Sequence, residues 1–222
     1  MCFNATTSIL AFSVSVVCSY LLLQGSKNDR FFGIGVFMIG LIQLNEFFLW
    51  RNQTCSLVNH VFSLSIIAIL YLQSVVMCSV FYTLYPRTIP SFVTNTYILL
   101  CTTFTAYLLY VLNKTRLCSQ PKGSCRLAWA PHTYLIEHYP YLALIHTIFY
   151  FIPFYFFAIE TSTKDILRYK LRYTFVPFTF MVAIGFGVYK GFLYSPLSYA
   201  DMFGSLWCFL SVFLGIIGVL HV

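Results

Sequence analysis

Apolar residues in this chain run in seven long stretches, at 5–24, 31–50, 61–85, 91–112, 141–160, 174–191 and 201–222, separated by short polar breaks. Each stretch approaches the ~20 apolar residues that a helix needs to cross a bilayer core. The pattern predicts an all-α polytopic membrane protein, a single seven-transmembrane-helix bundle over residues 1–222. The breaks have physical causes. Gly25-Ser26-Lys27-Asn28-Asp29-Arg30 and Arg51-Asn52-Gln53-Thr54 are too polar to enter lipid, and Pro86-Arg87-Thr88-Ile89-Pro90 is a turn with two prolines. Residues 113–140 form the one long connection, 161–172 a basic loop, and Tyr194-Ser195-Pro196-Leu197 the last turn. Pro153 and Pro177 fall inside spans and predict kinks, and Gly187 and Gly191 have the spacing that permits close helix contact. Residues 1–24 lack a basic start and their apolar run is too long for a signal-peptide core, so they read as the first span.

Composition supports this reading. The chain is 59% hydrophobic, 20% aromatic and 9% charged, against roughly 25% charged in soluble domains. So few charges could not solvate the surface of a water-soluble fold; a lipid bilayer is the partner that explains the deficit. The net charge of +7 does not point to nucleic acid, because the thirteen Lys and Arg are scattered at span ends as anchors and topology signals.

Seven spans place the termini on opposite sides. Arg51, Lys114, Arg116, Lys122, Arg126 and Lys190 fall on the N-terminal side; Lys27, Arg30, Arg87, Lys164, Arg168, Lys170 and Arg172 fall on the other. The count barely discriminates, but the dense cluster from Lys164 to Arg172 favours a cytoplasmic loop there. All four cysteines outside the spans, Cys2, Cys55, Cys118 and Cys125, lie on the N-terminal side, as do three glycosylation triplets at Asn4, Asn52 and Asn113. Disulfides belong to oxidising compartments. The expected orientation is N-terminus extracellular or luminal and C-terminus cytoplasmic. The asparagines hug span ends, which puts them close to the membrane for a glycosylating enzyme. Four cysteines allow three pairings. Cys118 with Cys125 is the nearest pair, around a Pro121-Lys122-Gly123 turn, with Cys2–Cys55 as its complement. A four-thiolate metal site is disfavoured because the gap between Cys118 and Cys125 exceeds zinc-knuckle spacing. Cys18, Cys78, Cys101 and Cys208 lie within spans as small apolar filler.

The opening Met1-Cys2-Phe3-Asn4-Ala5-Thr6-Thr7-Ser8-Ile9 resembles a poorly characterised family of small multi-pass membrane proteins that begin Met-Cys-Phe-Ser-Ala-Thr-Ala-Ser-Phe. That family's second span tends to close with Gln-x-x-Glu-Gly-x-x-Trp, and Gln43-Leu44-Asn45-Glu46-Phe47-Phe48-Leu49-Trp50 is similar. The chain departs at Asn4, Thr7, Ile9 and Phe47, and the match covers the first fifty residues. The resemblance implies an integral membrane protein and highlights Cys2, Glu46 and Trp50; it carries no activity.

Only six acidic residues exist, so each is informative. Glu46 lies about one turn inside span two, where a carboxylate is costly and needs a partner, a proton or a watery cavity. Gln43 and Glu46 share a helical face. Their bland reading is interhelical hydrogen bonding that fixes packing. His60 opens span three, His132 and His138 sit in the long loop, His146 is within span five, and Asp201 begins span seven. Cys2, Gln43, Glu46, Trp50, His60, His146 and Asp201 are the candidate ligand-binding residues at the outer mouth. Within that set, Glu46, His60 and His146 are candidate ligands for a transition metal such as zinc. No two histidines have i,i+4 spacing, and a lone histidine is more often a hydrogen-bonding or interface residue. Trp129, Tyr134, Tyr139 and Tyr141 read as an interfacial aromatic belt, or else as part of a lid over the mouth.

The functional expectation is a polar pocket at the outer face that binds a small molecule, a lipid or a metal ion. A membrane-embedded metal-dependent hydrolase is the alternative; against it, span seven lacks a His-x-x-x-His pair. A retinal protein would need a lysine deep in span seven, which has none, and a channel or transporter would want more polar spans.

Overall fold

The computed structural model describes residues 4–121 and 127–142, together with Ile145, Ile148, Phe149, Ile152, Pro153, Gly215, Ile216 and Val219. Four helices in it are long and apolar enough to cross a membrane: α1 (Ala5–Leu23), α2 (Lys27–Arg51), α3 (Leu57–Leu84) and α4 (Ser91–Asn113). They coincide with the first four apolar stretches. The stretches at 141–160, 174–191 and 201–222 lie outside the described residues apart from a few positions; Pro177, Gly187 and Gly191 fall there, as do the residues that follow Pro153, so the expected kinks and helix contact lie outside the described residues.

Two helices start earlier than their apolar runs, and capping is the reason. Ser26 and Asp29 form a capping box: the Asp29 N–H donates to Ser26 Oγ and the Ser26 N–H donates to Asp29 Oδ2 at 3.0 Å. Two of the orphan N–H groups of the first turn are thereby satisfied, so α2 begins at Lys27 although residues 27–30 are polar. Ser56 accepts from Asn59 N–H and starts α3 at Leu57, which puts His60 inside the helix. Asn4 caps α1 through its Oδ1, which accepts from Thr7 N–H at 2.9 Å.

Short turns join the four helices, so sequence neighbours pack antiparallel. α1 meets α2, α2 meets α3, and α3 meets α4. The α1–α2 seam is the tightest place: a Cβ on Gly40 would stand 2.7 Å from Ser15 Cβ, and one on Gly33 would stand 3.0 Å from Leu22 Cβ and 3.1 Å from the Ser19 carbonyl. Small residues on both sides let the backbones approach, the usual device where lipid removes the hydrophobic drive for association. Gly40→Leu is expected to destabilise the protein by about 1–3 kcal/mol, read as a lower unfolding midpoint in detergent. An unchanged midpoint would mean that the seam is looser than this geometry.

At one end of the bundle, Lys27 Nζ donates to the Leu84 carbonyl and Tyr85 OH donates to Asn28 Oδ1, tying the start of α2 to the end of α3. A core of Cys18, Leu22, Phe31, Val36, Met77 and Phe81 fills this end, with Val219 packed against it. At the other end the connection after α4 is not a bare loop. It folds back as a short antiparallel hairpin, β1 (Gln120–Pro121) and β2 (Leu127–Ala128), with Gln120 opposite Ala128, and then as α5 (Ala130–His138). Leu117, Leu127, Trp129 and Leu135 from this cap join Ile42, Leu49, Ile66, Leu108 and Leu112 of the helices in the second core. Apolar side chains exposed on the outside include Leu10, Val17 and Tyr20 on α1 and Phe92, Leu99 and Tyr107 on α4. Exposed apolar stripes of that extent suit a bilayer and not water.

Candidate functional site

The start of α1, the end of α2, the start of α3 and the end of α4 share the capped end of the bundle, and the polar chemistry collects there. Ser119, fully buried, is the hub. Its N–H donates to Ser63 Oγ at 3.1 Å, its hydroxyl lies 2.8 Å from Ser63 Oγ and accepts from Ala130 N–H at 3.2 Å, and its carbonyl accepts from Asn59 Nδ2 at 2.9 Å. Asn59 Nδ2 also donates to the Asn52 carbonyl at 2.6 Å. One buried carboxamide thus holds the α2–α3 turn and the cap together.

His60 serves the same fastening. Its Nε2 lies 3.3 Å from Asn113 Oδ1, and its Nδ1 lies 3.2 Å from the Leu117 nitrogen and 3.0 Å from the Leu117 carbonyl. A neutral ring carries one proton. Placed on Nε2, it donates to Asn113, and Nδ1 then accepts from the Leu117 N–H. Glu46 is 2% exposed and accepts from Trp129 Nε1 at 3.0 Å. The carboxylate that needed a partner has one, and that partner comes from the cap. Trp129 is therefore not part of an interfacial belt: it is 3% exposed, with its ring in the core and its indole N–H on Glu46. An indole buried this way needs an acceptor for its N–H, and Glu46 supplies one.

The disulfide at this end joins Cys55 to Cys118, with Cα atoms 5.4 Å apart and a sequence separation of 63. This overturns the pairing of Cys118 with Cys125, and of Cys55 with Cys2. Nearness in sequence misleads here because α3 and α4 run down the bundle and back, returning the chain to its starting point. Cys2 and Cys125 lie outside the described residues. Cys18, Cys78 and Cys101 are free and buried, in keeping with their role as apolar filler; Cys208 is outside the described residues.

Of the other candidate residues, Gln43 is buried one turn from Glu46, and its amide faces the Glu46 carboxylate without closing a well-formed hydrogen bond. Trp50 Nε1 has no hydrogen-bond partner among the described residues. Neighbouring Asn45 turns its amide back to the Leu41 carbonyl of its own helix. His146 and Asp201 lie outside the described residues. Among the described residues no three His, Cys, Asp or Glu side chains are grouped to hold a metal ion. Glu46 and His60 contact different parts of the cap, Trp129 and Leu117. The three triplet asparagines have structural work: Asn4 caps α1, Asn52 Nδ2 donates to the Phe48 carbonyl at 2.8 Å, and Asn113 faces His60.

Asn59, Ser63 and Ser119 were missed in sequence. The signal was present for two of them: Asn59 and Ser63 are one helical turn apart beside His60, a polar face at the head of an apolar span. Gln73, deeper on α3, is buried with neither amide atom partnered among the described residues. No protein-family model, curated protein or solved structure matches this chain.

Proposed function

We propose that the chain is a multi-pass integral membrane protein of seven spans, with its capped end outside and its C-terminus in the cytoplasm, that binds a small molecule or lipid at a polar pocket beneath the cap. The disulfide supports the orientation, since such bonds persist on the oxidising side of a membrane, and the cluster from Lys164 to Arg172 suits the opposite face. α3, at 28 residues, is about 42 Å long, against a hydrocarbon core of about 30 Å. Its first turns, with Asn59, His60 and Ser63, then stand in the headgroup region under the cap.

One observation carries the ligand reading. Trp50 Nε1 is a buried N–H donor with no acceptor among the described residues, and the buried Gln43 amide, which reaches the Glu46 carboxylate without closing a well-formed hydrogen bond, stands one turn before Glu46 on the same helix. Buried donors are nearly always paired, so a ligand with oxygen acceptors fits this place better than an apolar one. Gln43→Leu separates the possibilities. The substitution removes a buried amide that lacks a well-formed hydrogen bond and keeps the volume. It is expected to leave the empty protein as stable or up to about 1–3 kcal/mol more stable, and to strip any ligand that co-purifies from membranes, as read by native mass spectrometry. Identical bound species in Gln43→Leu and the native chain would discard the pocket.

A further inference from the structure

Between the β1–β2 hairpin and α5 lies a groove of about 370 Å³, lined by residues that include Leu117, Cys118, Gln120, Thr133, Tyr134 and Glu137. None of its lining residues belongs to α2, so it is a different place from the site proposed at Gln43. Two of its lining residues set its chemistry. Glu137 is exposed, and it is the sole exposed carboxylate among the described residues, since Asp29 and Glu46 are both buried. No cationic group among the described residues pairs with it. Tyr134 presents an aromatic ring. His138 stacks on that ring with centroids 4.2 Å apart at 21°, and Tyr139 tilts against it at 6.2 Å, so the ring is held in place with one face already covered.

We propose that this groove binds an organic cation, an alkylammonium group, with Glu137 supplying the opposite charge and the part of the Tyr134 ring that lines the groove supplying the aromatic surface. A bulky, weakly hydrated ammonium is the cation that an aromatic face attracts best. A hard metal ion fits poorly, because calcium or magnesium takes several oxygen ligands at short range and the groove offers one carboxylate in a space many times an ion's size. The volume falls in the range of small-ligand pockets and accommodates a choline-sized group with room for a phosphate or glycerol beyond it. The ammonium arrives either as a free molecule or on a lipid headgroup; the site chemistry is the same.

The full chain in a maltoside detergent, which carries no ammonium, is titrated with choline and followed by saturation-transfer NMR of the choline methyl protons. Saturable binding at millimolar concentration or tighter is expected, displaced by tetramethylammonium and not by equal potassium. Glu137→Gln and Tyr134→Leu are each expected to weaken binding by roughly tenfold, while Tyr134→Phe, which keeps the ring, retains it. Glu137 is exposed and Tyr134 half-buried, and an unchanged unfolding midpoint shows that the variants fold. Repeating the titration in nanodiscs of phosphatidylcholine or of phosphatidylglycerol distinguishes the source. Loss of choline binding only in phosphatidylcholine marks a lipid headgroup as occupant; equal binding in both marks a free ammonium. No saturable binding, equal displacement by potassium, or binding that survives Glu137→Gln and Tyr134→Leu together overturns the proposal. Gln43→Leu leaves choline binding intact, so failure here and failure of the pocket beneath the cap are read separately.

Discussion

Removing the Cys55–Cys118 bridge, by Cys55→Ser, Cys118→Ser or both, is expected to lower stability by about 2–4 kcal/mol, with the double variant no worse than either single one. The bridge closes a segment with a sequence separation of 63. In the chain-entropy account a crosslink of that span contributes about 4 kcal/mol. Helices already inserted in a bilayer confine the unfolded chain, which brings the expectation toward the lower figure. The bridge also holds the cap beside the α2–α3 turn, next to the bonds that Asn59, His60 and Ser63 make to Leu117 and Ser119. Once it is cut, the cap depends on hydrogen bonds that each contribute about 1 kcal/mol. Trypsin cleavage at Lys114 and Arg116, both exposed beside the cap, should therefore quicken in the serine variants and in native protein treated with reductant. Equal unfolding midpoints and equal cleavage rates with and without the bridge would show that it adds nothing to the cap.

How far the sequence reveals this architecture depends on how local each signal is. The first four spans are legible because lipid demands long apolar runs, and the errors at their starts trace to Ser26 with Asp29 and to Ser56, whose caps extend helices into polar sequence. The burial of Gln43 and Glu46 follows from the cost of polar groups in hydrocarbon and from their shared face. What could not be read is the return of residues 114–121 and 127–138 over the helix ends. Its hairpin strands are two residues each, too short to leave a period in the sequence. The partners it brings together are distant in the chain: Ser63 with Ser119, Glu46 with Trp129, and Cys55 with Cys118. Trp129 in particular has the composition of a membrane-interface residue, and only the fold shows that its N–H is spent on a buried carboxylate.

That Glu46–Trp129 bond should prove the most sensitive single contact in the cap. Trp129→Ala is expected to cost about 3–5 kcal/mol, because it deletes a large ring from the core around Leu49, Ile66 and Leu112 and orphans the Glu46 carboxylate. The bond itself is isolated by milder changes. Trp129→Phe keeps most of the ring and removes the donor; Glu46→Leu keeps the volume and removes the acceptor. Each leaves one buried polar group without its partner, at about 1–3 kcal/mol. The double variant removes both polar groups and is expected to recover most of that loss, giving a coupling of about 1–3 kcal/mol between the two positions. Glu46→Gln retains an oxygen for the indole N–H and should fall well short of the cost of Glu46→Ala, which opens a cavity as well. If the two single losses simply add in the double variant, Glu46 and Trp129 do not depend on each other, and the cap is held by the Ser119 hub and the disulfide without them.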